Sequence, residues 1–309
     1  MNLVLDLLGR IPRPVLSAFG AFLGWLAWTL RIRRKVVLSN LALAFPEKTE
    51  AERRAIARDN YRHFGQMIPD FLRVPTLSPQ ELDRMFDYQG WDSYLTAAAA
   101  GKGVIACTAH FGNFDLLASA HNRKGVPITQ LARVMGKSFV NDLWRTARQR
   151  SGVDELLVKP GQTMRAAIKA LAAGRVLGYV IDQNQPIKPI FPTFFGVPAA
   201  TAAAPAFLAR LTGAKVIFVI SVPLGGGRHR VVLEGPLELP DTGDRAADDL
   251  AFMQGLNDKL EAWVRRHPSR WYWLHRRWKT RPPPAPSAPP GGPGAPDIPT
   301  ATPPATGAN

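Results

Sequence analysis

The 309-residue sequence has a single cysteine, Cys107, so neither an intramolecular disulfide nor a cysteine-based zinc site is available. The fold must rest on its core, in what is expected to be a reducing compartment. Acidic residues are also scarce: 24 Asp and Glu stand against 39 Lys and Arg, a formal net charge of +15. This surplus favours anionic partners, whether phosphate, nucleic acid, anionic lipid or acidic protein, without choosing among them. Three motifs with a mechanism are missing: the G-x-S-x-G nucleophile elbow, the G-x-x-x-x-G-K-[ST] phosphate loop and the H-E-x-x-H zinc helix. GKGVIA at 101 to 106 imitates a dinucleotide fingerprint, but it precedes a strand where it should follow one. What the chain has in quantity is apolar residues, 46% of the total, enough for a sizeable core.

The main membrane signal is VLSAFGAFLGWLAWTL, Val15 to Leu30, which carries no charge and is followed at once by Arg31, Arg33, Arg34 and Lys35. As a helix it spans roughly 24 Å, short of a ~30 Å hydrocarbon core. It is therefore read as an anchor rather than a span, with a buried core helix as the alternative. A cleaved signal peptide carries its positive charge before the apolar stretch, the reverse of the order here. If the segment crosses, the basic cluster places the rest of the chain in the cytoplasm.

Thr49 with Glu52, and Ser78 with Pro79 and Glu81, predict two capped helix starts. Beyond Gly101, short β-branched runs alternate with helical ones. GVIACTA (103 to 109), PITQLAR (127 to 133), RVLGYVI (175 to 181) and KVIFVIS (215 to 221) read as strands, with helices near 137 to 150, 162 to 173 and 200 to 212 between them. The predicted fold is α/β, with a mixed, largely parallel sheet flanked by helices and an N-terminal hydrophobic membrane-anchoring helix. Gly225 to Gly227 turn the chain into RHRVVLEG, an expected edge hairpin. The division expected is an anchor at 1–35, a folded domain at 36–282, and a disordered tail at 283–309 rich in Pro, Ala and Gly.

The most informative spot is HFGNFD, His110 to Asp115, directly after the apolar strand GVIACTA. Catalytic groups gather at the C-terminal ends of strands in open α/β sheets. Histidine takes a proton near neutral pH, and a nearby carboxylate can fix its tautomer. Positions five apart differ by about 140° around a regular helix, so His110 must sit in a turn with Asp115 in the first helical turn. The bare pattern fits a structural histidine and a helix-start aspartate equally well. Cys107, inside an apolar strand, reads as a small hydrophobe, His121 as a surface or packing residue, and His63, His229 and His267 show no partner pattern. The basic helix with Lys137, Arg145, Arg148 and Arg150 is either a solvated face or a phosphate or acidic-protein contact. RHPSRWYWLHRRWK, Arg265 to Lys279, suits a membrane interface or single-stranded nucleic acid, or else buries an aromatic face.

HFGNFD resembles the H-x4-D/E motif of the lysophospholipid acyltransferase superfamily, and further blocks resemble its lipid A late-acyltransferase branch, the lauroyl and myristoyl transferases. These blocks are NLALAFPEKTEAERRAIA (40 to 57), the arginine of QLAR at Arg133, DQN at 182 to 184, PTFFGVPAATAAAPAFLARLTGA (192 to 214) and HPSRWYWLHRRWKTRP (267 to 282). The resemblance covers about residues 1 to 282. It implies an inner-membrane enzyme, facing the cytoplasm, that moves an acyl chain from acyl carrier protein to a hydroxyl of a lipid A precursor, or by the same chemistry to another lipid. By position His110 would be the general base and Asp115 its orienting carboxylate. Arg133, Asp182, Gln183 and Asn113 would bind substrate. It implies membrane phospholipid as a partner, and no cofactor, metal or nucleic acid.

Overall fold

The computed structural model describes residues 1–126, 128–133, 138–158 and 162–283. Nearly all of the predicted tail and Lys137 lie outside the described residues. The chain opens with helices α1 (Asn2–Arg10), α2 (Arg13–Thr29), α3 (Arg34–Ala44), α4 (Glu50–Arg73) and α5 (Pro79–Met85), then strand β1 (Phe86–Gln89) and α6 (Trp91–Ala99). The alternating part follows: β2 (Val104–Thr108), α7 (Phe114–Arg123), β3 (Ile128–Arg133), α8 (Phe139–Arg150), β4 (Asp154–Val158), α9 (Thr163–Ala172) and β5 (Val176–Val180). A small ribbon of β6 (Thr193–Phe194) and β7 (Val197–Pro198), then α10 (Ala204–Thr212), β8 (Lys215–Gly225), β9 (Arg228–Leu237) and α11 (Arg245–Arg266) complete it.

Seven strands form one sheet in the order β1-β9-β8-β2-β5-β3-β4, parallel at every pairing except β8 with β9. Alternation along the central strands sends Ile105, Cys107, Leu177 and Phe218 to one face and Val104, Ala106, Val176 and Ile217 to the other. Both faces are covered, the expected state of a sheet whose strands read as continuous apolar runs. The β8–β9 hairpin forms as expected but is not the edge, because β1 adds outside β9. The sequence reading did not anticipate the edge strands β1 and β4. FDYQ and DELLV are too short and too charged to show a strand pattern.

Both capping boxes form. Glu52 accepts from the Thr49 backbone N–H at 2.7 Å, and Glu81 from that of Ser78 at 2.8 Å. The expected anchor takes a different shape from a separate peg. α2 lies along α4, and Gly20 and Gly24 approach the backbone at Gly65 and Tyr61 so closely that no Cβ fits at either glycine. Arg13 pairs with Asp70 at 2.8 Å, and Gln66 donates to Ser17 at 2.9 Å. Among the described residues no single helix is long and apolar enough to cross a membrane. α2 and α3 meet the length and composition together, but they are bent by 89°.

Candidate active site

The parallel pairing of β2 with β5 builds the site. Their register runs Cys107 with Tyr179 and Thr108 with Val180, and it continues past the strands as the Ile181 N–H donates to the Thr108 carbonyl at 2.9 Å. The next residues of the two strands therefore emerge side by side at the C-terminal edge of the sheet. His110 comes from one and Asp182 from the other.

Asp182 grips His110 twice. One carboxylate oxygen lies 2.8 Å from the imidazole Nδ1, and the other accepts the His110 backbone N–H at 2.9 Å. The second oxygen also accepts the indole N–H of Trp271 at 2.7 Å. With Nδ1–H donated to Asp182, Nε2 carries the lone pair, and the Gln183 amide lies 3.2 Å from it. The His110 side chain is 19% exposed and that of Asp182 only 3%, so the imidazole faces outward from a buried carboxylate. Burial pushes the His110 pKa down, but the charge and hydrogen bond of Asp182 outweigh it and leave the imidazole above its ordinary value. Burial likewise pushes Asp182 up, and the His110 charge with the hydrogen bonds from His110 and Trp271 brings it below the usual carboxylate range.

The expected hydrogen bond between His110 and Asp115 is not the one the structure holds. Asn113 caps α7, its side-chain oxygen accepting the Leu116 N–H at 3.1 Å. This start places Asp115 in the first helical turn as expected, but turned toward α8. There its two oxygens take Arg148 at 2.5 and 2.8 Å and the Trp144 indole N–H at 3.0 Å. The Asp115 side chain is 1% exposed and is consumed by these partners. Arg148 continues to Glu155 at 2.8 Å, Arg145 meets Glu155 at 3.4 Å, and Arg150 meets Asp6 at 2.8 Å. The arginines of the basic helix are thus engaged in ion pairs rather than standing free.

The other expected site residues divide. Asp182, expected at the substrate, is the hydrogen-bond partner of His110, and the Gln183 amide lies by His110 Nε2. Asn113 is buried, with its amide nitrogen on the Met67 carbonyl at 3.3 Å, so both ends of its side chain serve the fold. Arg133 closes β3 at the same sheet edge, and its side chain lies outside what is described.

Gly112 makes the turn possible. Its φ is +58°, and a Cβ there would strike the Ser221 carbonyl. Of the readings open for the aromatic segment, a membrane surface, a nucleic-acid surface or a buried aromatic face, the structure shows the last, and the segment straps this turn. The Gly112 N–H donates to the Arg270 carbonyl at 2.8 Å, and the Tyr272 N–H to the His110 carbonyl at 2.9 Å. Asn60 holds the Ser269 and Trp271 carbonyls at 2.8 and 2.7 Å, and Asn40 those of Trp273 and His275 at 2.8 and 2.7 Å. Trp271, Trp273 and Trp278 are buried in the core. Among the described residues no group of three or more His, Cys, Asp or Glu side chains is placed to hold a metal ion.

Cys107, the single cysteine, is sealed in β2 and its thiol is pushed upward by burial. What the geometry can do is accept a proton at His110 Nε2 while Asp182 stabilises the resulting imidazolium. Against this, the family model of bacterial lipid A biosynthesis acyltransferases matches residues 1–280. The lipid A biosynthesis lauroyltransferase of Escherichia coli K12 is 30% identical over 289 residues, 92% of this chain and 92% of its own. The myristoyltransferase of the same organism is 26% identical over 271 residues, 87% of this chain and 81% of its own. The phosphatidylinositol mannoside acyltransferase of Mycobacterium tuberculosis is 24% identical over 219 residues, 70% of this chain and 67% of its own.

Proposed function

This chain belongs to the bacterial lipid A biosynthesis acyltransferase family, and from that premise we propose that it transfers an acyl chain from an acyl carrier protein thioester to a hydroxyl of a lipid A precursor, with His110 as general base. The observation that carries this reading is the 2.8 Å contact from His110 Nδ1 to Asp182, which in the neutral ring places the lone pair on Nε2. The acceptor hydroxyl gives its proton to Nε2 as its oxygen attacks the thioester carbonyl. The tetrahedral oxyanion then collapses, the carbon–sulfur bond breaks, and the thiolate takes the proton back from the imidazolium. The products are ester and free thiol, with no covalent acyl-enzyme. Gln183, whose amide lies 3.2 Å from His110 Nε2, gives way to the acceptor and hydrogen-bonds one of the reacting oxygens.

The reading also sets the enzyme on the cytoplasmic face of the inner membrane. Val15, Phe19, Phe22 and Trp25 form an exposed stripe on α2, opposite the face packed on α4, and Leu3 and Leu7 of α1 are exposed as well. Arg58 and Arg62 flank Trp25 and Trp28 in a surface groove, an arrangement suited to lipid headgroups. Such a face lies on a bilayer with the helix in the interface plane.

The test is purified enzyme with acyl carrier thioesters of graded length and a lipid A precursor, read by mass. One acyl chain is gained in the wild type, and His110→Ala loses about 10² to 10⁴ in rate. A folded His110→Ala protein with most of its activity refutes the base assignment. Unmodified lipid A precursor alongside an acylated mannoside or glycerolipid moves the acceptor to another lipid.

A further inference from the structure

Arg277 is a buried charge that the acyl-transfer steps leave without a task. Its side chain is buried, at 1% exposure, yet its guanidinium meets only neutral acceptors. These are the Ala200 carbonyl at 2.6 Å, the Thr201 hydroxyl at 2.6 Å and the Gln183 carbonyl at 3.5 Å, with the Phe194 ring 6.0 Å below. A buried cation without a compensating charge is costly enough that folds rarely keep one. Its contact with the Gln183 carbonyl, one residue after Asp182, brings it to the backbone that carries that carboxylate, whose field acts on it against the burial that lowers its pKa to about 10. Trp271 reaches the same carboxylate from the same strap, its buried indole N–H donating at 2.7 Å.

We infer that Trp271 and Arg277 are positioning residues for catalysis. Together they hold Asp182 as an anion of restrained basicity, so that the proton exchanged with the acceptor resides on His110 and not on the carboxylate. The inference rests on the reading of His110 as the base. A carboxylate that accepts two hydrogen bonds from His110 alone, in a site 3% exposed, would compete for the proton it is meant to leave on the ring. A third donor and a nearby cation lower that tendency while leaving His110 Nε2 untouched. Other charged or titratable groups facing the pair are His275, Asp115, Arg148 and Tyr272. His275 accepts the Asn184 N–H at 2.9 Å, and burial takes it down to about 4, so it stays neutral. Asp115 and Arg148 act on His110 with opposite signs and neutralise each other at 2.5 Å. Tyr272, its ring 6.0 Å from that of His110, is pushed up by burial and remains neutral. Arg33 acts on His275 and Tyr272 and donates to the Leu274 carbonyl at 2.8 Å, on an exposed contact, whereas Arg277 is buried.

The experiment follows the His110 imidazole by NMR, in histidine-labelled protein held in detergent, together with the acid limb of kcat/KM. Trp271→Phe keeps the ring and removes the donor, Arg277→Met removes the charge, and Arg277→Lys retains it. The first two are expected to move the His110 titration and the acid limb upward by about one pH unit, the scale of one hydrogen bond to a charged group. Their kcat at pH 7 falls about tenfold, with KM for donor and acceptor little changed. Arg277→Lys is expected to titrate as the wild type does. A purely structural role would lower thermal stability and leave both readouts where they are, and that result overturns the inference. If Arg277→Met does not fold, Trp271→Phe against Arg277→Lys decides the matter. The NMR titration needs no turnover, so it separates failure of this inference from failure of the acyltransfer reading.

Discussion

Two buried aspartates flank one histidine, and they live in different chemistry. Asp182, at the end of β5, meets an imidazole, a backbone N–H and an indole N–H. Asp115, in the first turn of α7, meets a guanidinium at one oxygen, through two of its nitrogens, and an indole N–H at the other. A carboxylate on a titratable partner stays coupled to proton movement, whereas one on arginine, which never deprotonates, is fixed as structure. Under the proposed mechanism the comparison separates a residue coupled to the proton transfer from one that holds the frame around it, although both stand within a few residues of the same sheet edge.

The largest expected effect that breaks this distinction is on Asp182. Asp182→Asn is expected to lose about 10² to 10⁴ in kcat, because the imidazolium loses its counter-charge and its tautomer is no longer fixed. The sign of the pH effect follows from the site. With the carboxylate gone, burial alone acts on the imidazole, so the acid limb of kcat/KM moves to lower pH even as the rate falls. A rate profile with the limb unmoved would argue that Asp182 does not face His110 in solution.

Asp115→Ala should show itself first in stability. Removing one partner of a buried ion pair leaves Arg148 with Glu155 alone, at a cost of up to about 3 to 5 kcal/mol by denaturant unfolding. Adding Arg148→Met should recover part of it, with a coupling energy of about 1 to 3 kcal/mol. The acid limb of whatever enzyme folds should move only slightly, and downward. Additive losses would mean that the pair contributes nothing to the frame. The smallest effect is expected from Gln183→Ala, about tenfold in kcat if its amide assists a reacting oxygen, measured with the same donor and acceptor.

Much of the α/β architecture was legible in the sequence, because β2, β5 and β8 are apolar runs bounded by turns and the capping boxes at Thr49 and Ser78 are local signals. His110 was legible for the same reason, since its motif directly follows a readable strand. Its partner was not, because HFGNFD and DQN are 72 positions apart and only the parallel pairing of β2 with β5 brings them together. The signal that was present is that each motif follows a β-branched run, so that adjacency of the two runs would have joined them. The fate of Asp115 needed the docking of α8 on α7, and the strap from Pro268 to Arg277 needed its backbone pairing with the His110 turn. A run of tryptophans and arginines has no local feature that separates a buried strap from a membrane belt. Asn60, whose side chain helps pin that strap, carries no pattern in the sequence, and Asn40, which opens the block at 40 to 57, carries no local sign of this role.

The most direct test of the account is the hydrogen-bonded Nδ1–H proton of His110, observed at low field by NMR in the full-length protein with each aspartate replaced in turn. The account predicts that Asp182→Asn abolishes this resonance and Asp115→Asn retains it. Loss of the resonance in Asp115→Asn with survival in Asp182→Asn would contradict the pairing on which the proposed chemistry stands.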